Sequence, residues 1–186
     1  MEKKITCIVG TRPEAIKMAP VIHSLREMEF STMVLSTGQH SQMLHQALSY
    51  FGITADVDLS IMEERQTLDS VTSRVLSGVG RFLDEHPQDL VLVHGDTTTT
   101  MASALAAFYR HIPVGHIEAG LRSHDIGQPF PEEANRIITD RLSTLWFAPT
   151  PGAAANLAGE GLPVSEKTLF VTGNTVIDAL FSTLEK

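Results

Sequence analysis

Short runs of β-branched and aliphatic residues alternate along the chain with longer stretches in which apolar side chains recur every three or four positions. Short apolar runs bounded by polar clusters suit strands, and the longer periodic stretches suit amphipathic helices. The pattern predicts strands at Ile5–Val9, Thr32–Ser36, Leu90–His94, Val114–Ile117, Thr144–Ala148 and Thr168–Val171, with a weaker one at Val57–Leu59. Between them, Leu68, Val71, Val75, Val79 and Phe82 read as one buried stripe, and Met43, Ala47 and Phe51 as another. Gly78 and Gly80 weaken the first of these helices without cancelling it. Sequential βα units predict an α/β fold with a parallel sheet, helices on both faces and right-handed crossovers. In such sheets ligands sit beyond the carboxyl ends of the strands, so the residues just after each strand are where chemistry is expected.

Three of those strand ends are crowded with polar groups. The first is Gly10-Thr11-Arg12-Pro13-Glu14-Ala15-Ile16-Lys17, a strand turning sharply into a helix. Thr11 and Glu14 have capping-box spacing and Pro13 suits the first turn, so unpaired backbone N–H groups and a partial positive charge are expected there, with Arg12 and Lys17 adding two cations. An ordinary capped helix with two solvated cations is the plainer account. The second is His94-Gly95-Asp96-Thr97, where either Asp96 or Thr97 suits a helix cap. The third is Glu118-Ala119-Gly120-Leu121-Arg122, where a structural Glu118–Arg122 pair is the plainer account. Further on, Pro129-Phe130-Pro131-Glu132-Glu133 opens another helix, and carboxylates in a first turn complement the helix dipole. Several carboxylates delivered to one crevice are how proteins divide general-acid from general-base work.

Composition narrows the reading. A chain of 186 residues that is 42% hydrophobic can bury one core of ordinary size, and no repeat or linker composition divides it, so one domain is expected. The formal charge of −8 argues against a nucleic-acid-binding surface, so any phosphate is held locally. Cys7, the only cysteine, lies in the first apolar strand and reads as a small core residue in a reducing compartment. The apolar run after Lys3 and Lys4 is too short for a signal peptide, and no stretch approaches the roughly 20 apolar residues of a membrane span. A soluble, cytoplasmic protein without membrane attachment is the expectation. Neither a GxGxxG turn nor a GxxxxGK[ST] loop occurs, so a dinucleotide-binding dehydrogenase and a P-loop NTPase are both disfavoured.

Seven segments in order, GTRPEAIKMAP, TGQH, VLVHGDTTTT, GHIEAGLRS, PFPEEANR, FAPT and VTGNTVIDAL, make the chain resemble the non-hydrolysing UDP-N-acetylglucosamine 2-epimerases of bacteria and archaea. The resemblance implies a Rossmann-like domain, the first half of a glycosyltransferase-B-type fold in which two domains face each other across a cleft. It implies that residues 1–186 are the N-terminal domain, and that a second domain holding most of the UDP is absent from this chain or supplied by a complementary one. An excised domain, a truncation and a naturally split gene all fit. The isolated chain is then expected to fold but not to epimerise.

The implied reaction interconverts UDP-N-acetylglucosamine and UDP-N-acetylmannosamine, precursors of cell-surface polysaccharides, by eliminating and re-adding UDP without cofactor or metal. Asp96, Glu118 and Glu132 match the family's catalytic carboxylates, and Arg12, Lys17 and His94 its substrate-binding residues. Glu132 at a helix N-terminus is the candidate base, while Asp96 and Glu118, if desolvated together, should leave one protonated as the candidate acid; the roles are exchangeable. Gln39, His40, Gln42, Arg65 and Gln66 match an allosteric site for a second UDP-N-acetylglucosamine, although loop capping also accounts for Gln39 and His40. The family also implies a homodimer. The stretch Ser123–Gln128 departs from the usual aromatic-containing loop, so a related UDP-diacetamido-uronic acid is the alternative substrate, and an inactive nucleotide-sugar-binding module the alternative class.

Overall fold

A computed structural model describes residues 3–38, 41–61 and 66–184. Its elements follow in the order β1 (Lys4–Val9), α1 (Arg12–Glu27), β2 (Ser31–Ser36), α2 (Ser41–Tyr50), β3 (Val57–Asp58), α3 (Leu68–Glu85), β4 (Leu90–His94), α4 (Thr98–Phe108), β5 (Val114–Ile117), α5 (Glu132–Leu142), β6 (Leu145–Ala148), α6 (Pro151–Gly159), β7 (Leu169–Val171) and α7 (Val176–Leu184). Every strand expected from the sequence is present, with ends shifted by at most one residue. All seven pair in parallel, in the order β3-β2-β1-β4-β5-β6-β7. Strand order therefore reverses between β1 and β4, and a crevice opens beyond their carboxyl ends.

Period-two alternation explains how unbroken apolar strands serve two cores. Cys7 and Val9 of β1 point to one face, where they meet Ala15, Met18, Ala19 and Ile22 of α1, Leu44 and Leu48 of α2, and Ala179 of α7. Ile8 of the same strand points to the other face, packing with Val71, Val75, Val79 and Phe82 of α3 and with the alanines of α4. Parallel strands covered on both sides need both sets of side chains apolar. Burial pushes the Cys7 thiol up to about 12, as suits an inert core residue. The expected α3 stripe begins one turn later than its spacing indicated: Leu68 sits next to the Thr67 cap and is 45% exposed. Met43 of the α2 stripe is likewise 50% exposed.

A smaller cluster of Ala119, Trp146, Leu157 and Leu162 seats α6 against β6. Here Gly120 has φ +82, and a Cβ on it would lie 2.3 Å from the Ala153 carbonyl oxygen, inside any tolerable contact. Gly161 has a similar φ of +69 but open space around it. Gly161→Ala should therefore cost only the left-handed backbone penalty, about 1 kcal/mol. Gly120→Ala should cost about 3 kcal/mol or more, because strain is joined by overpacking against backbone. Denaturant unfolding of both variants checks the difference, and equal losses would refute it.

Candidate active site

The crevice is built from two helix caps that hold each other. Thr11 caps α1, and the Glu14 carboxylate reaches back to the Gly10 and Thr11 N–H groups at 2.6 and 3.1 Å. The other Glu14 oxygen accepts from the Thr97 hydroxyl at 2.7 Å, and Thr97 in turn caps α4 by accepting the Thr100 N–H. Thr97, rather than Asp96, is therefore the cap, and the Asp96 carboxylate is free for other contacts. The same geometry corrects the expected phosphate corner. Glu14 and Thr11 already occupy the Gly10, Thr11 and Glu14 amides, and Pro13 carries none, so N–H groups expected to be unpaired have partners within the capping box. Burial pushes the Glu14 carboxyl up, opposed by these same donors.

Across a crevice of about 360 Å³ lie Lys17, His94, Asp96 and Glu118. Glu118 has φ +68, a left-handed conformation uncommon for a residue with a Cβ. That turn sends its carboxylate back over the strand ends. Lys17 Nζ donates to both carboxylate oxygens, at 2.9 and 2.8 Å, and Asn174 Nδ2 donates to Oε1 at 2.8 Å. Burial raises the Glu118 carboxyl, but Lys17, the His94 field and Asn174 together outweigh it and leave it below its usual range. The plainer Glu118–Arg122 pair does not form: Arg122 binds Glu160 and Asp140 instead.

Asp96 takes the opposite path. Its desolvation raises the carboxyl, Arg136 at 2.8 Å pulls it down, and the Glu118 and Glu132 charges push it up again, for a net rise. Glu132 thus acts on Asp96 electrostatically from the first turn of α5. Its neighbour Glu133 is fully buried and accepts from the Ser123 and His124 N–H groups, anchoring the 123–128 loop. His94 is 4% exposed; its Nε2 lies 3.2 Å from Glu118 Oε2 but out of line for a hydrogen bond, and Nδ1 has no protein partner. Desolvation, only partly offset by Glu118, brings His94 down to about 4, so the ring is neutral near pH 7.

Beneath these groups runs a buried ionic support that sequence reading did not find. Asp140 of α5 receives His116 Nδ1 at 2.6 Å, Arg122 at 2.8 Å and the Gly120 N–H at 3.2 Å. His116 Nε2 bonds the Gly95 carbonyl at 2.7 Å. Burial raises the Asp140 carboxyl, but His116 and Arg122 overcome it and hold the carboxyl below its ordinary range. The available signal was His116 itself, a polar residue in the apolar strand Val114-Gly115-His116-Ile117.

The remaining expected residues are dispersed. Arg12, exposed at the start of α1, lines a neighbouring groove with Met43, Tyr50, Val176 and Leu180 rather than the carboxylate crevice. Gln42 is exposed in the first turn of α2, and the Gln66 amide donates to the Ile61 carbonyl at 2.7 Å. Gln39, His40 and Arg65 lie outside the described residues. Among the described residues no group of three or more His, Cys, Asp or Glu is arranged to hold a metal ion, and no helix is long and apolar enough to cross a membrane.

A family model described as UDP-N-acetylglucosamine 2-epimerase matches residues 23–186. The chain belongs to the UDP-N-acetylglucosamine 2-epimerase family. A UDP-N-acetylglucosamine 2-epimerase of Salmonella typhimurium is 52% identical over 178 residues, which make up 95% of this chain and 47% of that protein. The crystal structure of the Neisseria meningitidis UDP-GlcNAc 2-epimerase bound to UDP-GlcNAc superposes with a TM-score of 0.93 at 51% identity, over 98% of this chain and 49% of that one. A Methanocaldococcus jannaschii UDP-GlcNAc 2-epimerase in complex with UDP-GlcNAc and UDP gives a TM-score of 0.91 at 37% identity, again over 98% and 49%. The chain spans about half the length of the curated relatives it matches. For this member of the epimerase family, the α/β parallel sheet expected from its sequence is the fold observed.

The buried support is testable by stability alone. Asp140→Asn leaves His116 and Arg122 without their anion and turns an amide towards the Gly120 N–H, so denaturant unfolding should show a loss of about 3–5 kcal/mol. A loss within 0.5 kcal/mol, the scale of an ordinary surface change, would show that the cluster carries no weight. The His94 ring should stay neutral on acidification through pH 6, read from its ring carbon and proton shifts. Because its folded value of about 4 lies below the ordinary 6.5, the unfolded chain takes up the proton first. The His94 contribution to stability is therefore complete above about 6.5 and is lost as pH falls towards 4. A ring titrating near 6.5 would contradict this.

Proposed function

We propose that this chain is the carboxylate-bearing, N-terminal half of a non-hydrolysing 2-epimerase that interconverts UDP-N-acetylglucosamine and UDP-N-acetylmannosamine. The observation that carries the reading is the meeting of Lys17, His94, Asp96 and Glu118 in one crevice, where Lys17 and Asn174 hold Glu118 and, among the described residues, Arg136 alone pairs with Asp96, surroundings that lower the first carboxyl and leave the second raised. Family membership and the likeness to a Neisseria meningitidis enzyme bound to UDP-GlcNAc supply the substrate class.

Glu132, in the α5 first turn, acts as the base that removes the C2 proton. The C2–H electrons become the C1=C2 double bond of 2-acetamidoglucal as the C1–O bond to UDP breaks. Asp96, kept towards its protonated form, is the acid. Glu118 stays ionised and orients Lys17, whose ammonium meets the charge developing on the departing phosphate. Return of the UDP oxygen to C1, as Asp96 gives its proton to the face of C2 opposite Glu132, completes inversion; in the reverse direction Asp96 is the base and Glu132 the acid, and the two carboxyls regain their starting protonation by exchange with solvent. His94, neutral and closely packed, presents a ring nitrogen to the sugar without adding charge. Arg12 binds the nucleotide from the adjoining groove.

The same proposal includes a second domain supplying the opposite wall and the uridine site, a homodimer, and a cytoplasmic location. It includes a regulatory UDP-N-acetylglucosamine held by Gln39, His40, Gln42, Arg65 and Gln66.

The test joins this chain to the C-terminal half of the Neisseria meningitidis relative and follows deuterium entry at C2 by NMR. The chimera should turn over and the 186-residue chain alone should not. In the chimera, Asp96→Asn, Glu118→Gln and Glu132→Gln should each lower kcat by about a hundredfold or more, with the melting temperature little changed. Arg12→Ala should raise KM as well as lower kcat, because a phosphate-binding cation acts in ground and transition states. Normal rates in folded carboxylate variants would overturn the assignment, and turnover by the chain alone would overturn the need for a second wall.

A further inference from the structure

Glu118 is held from two sides by elements distant in sequence. From α1 comes Lys17; from the turn between β7 and α7 comes Asn174, which follows Gly173 in a left-handed conformation of φ +79. The Asn174 side chain makes two bonds, and the second explains the first. Its Oδ1 accepts the Val176 N–H at 3.0 Å, capping the start of α7, and this fixes Nδ2 as the end turned towards Glu118.

The α7 helix has few other anchors. Ala179 is buried in the cluster formed by Ala15, Met18, Ala19 and Ile22 of α1, while Ile177, Leu180, Phe181 and Leu184 are all more than half exposed. Seating of α7 on α1 therefore rests on one small side chain and on the Asn174 turn. Because α1 carries Lys17, the cation that grips Glu118 rides on one helix and the amide on the turn that caps the helix packed against it.

We propose that Asn174 is a positioning residue that couples the seating of α7 to the orientation of the Glu118 carboxylate. When α7 is seated, Oε1 has two donors and Oε2 faces Lys17 and His94. When α7 lifts, Oε1 loses the Asn174 donor and the carboxylate is free to turn about Lys17. The inference rests on reading Glu118 as part of the reacting site, and it adds that whatever stabilises α7 on α1 also readies that carboxylate.

A residue that merely caps α7 predicts a different response to substitution. Asn174→Asp keeps an acceptor for the Val176 N–H, since Asp caps as well as Asn. It cannot donate to Glu118 and sets a second carboxylate at hydrogen-bond distance. The other charged or titratable groups around Glu118 are Lys17 on α1, His94 at the end of β4 and Asp96 in the turn after β4; Asp178 on α7 is exposed. Asn174→Ser also keeps a cap acceptor but is too short to reach Glu118, and it removes the donor without adding charge.

The experiment is a carboxyl-carbon NMR titration of Glu118 in the 186-residue chain, with Glu118→Gln assigning the signal. In Asn174→Asp the two facing carboxylates should share a proton, raising the Glu118 midpoint by about one unit or more, with Asn174→Ser showing a smaller rise. Far-ultraviolet circular dichroism should match the parent chain for both, while Asn174→Asp should melt at a lower temperature at neutral pH and regain part of the loss on acidification, because a carboxyl raised in the folded state costs stability above its midpoint. An unmoved Glu118 midpoint in folded Asn174→Asp would overturn the proposal and leave Asn174 as a cap only. If Asn174→Asp does not fold, an unmoved midpoint in Asn174→Ser overturns it instead. The titration needs no turnover, so an inactive parent chimera would count against the epimerase reading and leave this result standing. In an active chimera, Asn174→Asp should cut kcat at neutral pH by about tenfold with KM nearly unchanged, and acidification should restore part of the loss.

Discussion

The architecture of the crevice depends on one buried anion. Asp140 is fully shielded from water, and an isolated carboxylate in that position would be costly. It is tolerated because His116 of β5 and, from the loop that follows, the Gly120 amide and Arg122 surround it. Its backbone carbonyl also accepts the Trp146 indole N–H at 3.0 Å. One residue on α5 therefore fixes β5, the loop after it and β6. Through His116 it reaches the Gly95 carbonyl, and so sets the turn that delivers Asp96. A network of this kind has little tolerance for partial satisfaction, which makes the geometry above it rigid.

That rigidity allows two carboxylates in one crevice to differ in proton affinity. Asp96 and Glu118 are both partly buried, so desolvation pushes both up. What separates them is the company each keeps. Glu118 has an ammonium on both oxygens and an amide on one; Asp96 has a single guanidinium and faces two other carboxylates. The difference comes from which strand end each residue occupies, since α1 brings Lys17 over β5 while α5 brings Arg136 to the turn after β4.

The strands, their parallel arrangement and the clustering of Lys17, His94, Asp96 and Glu118 were legible because they follow from local signals: unbroken apolar runs and polar residues just past them. The residues that were not legible act across long separations. Asp140 sits in Ile137-Ile138-Thr139-Asp140-Arg141, where nothing distinguishes a buried helical Asp from a solvated one. Arg122 looked like a partner for Glu118 because four residues separate them, but the left-handed backbone at Glu118 turns its side chain away from Arg122 and towards Lys17. Asn174 lay within a recognised motif, yet its role required knowing that β7 ends beside β5's loop. The pairing of the amides at the start of α1 was hidden for a related reason, because the capping box that marks the helix start also occupies the Gly10, Thr11 and Glu14 N–H groups.

The strained backbone at Glu118 connects these observations. A side chain held at φ +68 persists only where its surroundings over-determine it, since the left-handed region costs about 1–2 kcal/mol for a residue with a Cβ. Its own N–H is fixed by the Phe147 carbonyl at 3.0 Å, and its carboxylate by Lys17 and Asn174. Glycine would relieve the strain at this corner, as it does at Gly95 one strand away, where φ is +73. Glycine would also remove the carboxylate. Two adjacent strand ends thus meet the same left-handed turn with different residues: the one without a side chain lets the crevice open, with its absent Cβ 3.9 Å from Glu118 Oε2, and the one with a side chain fills it with charge.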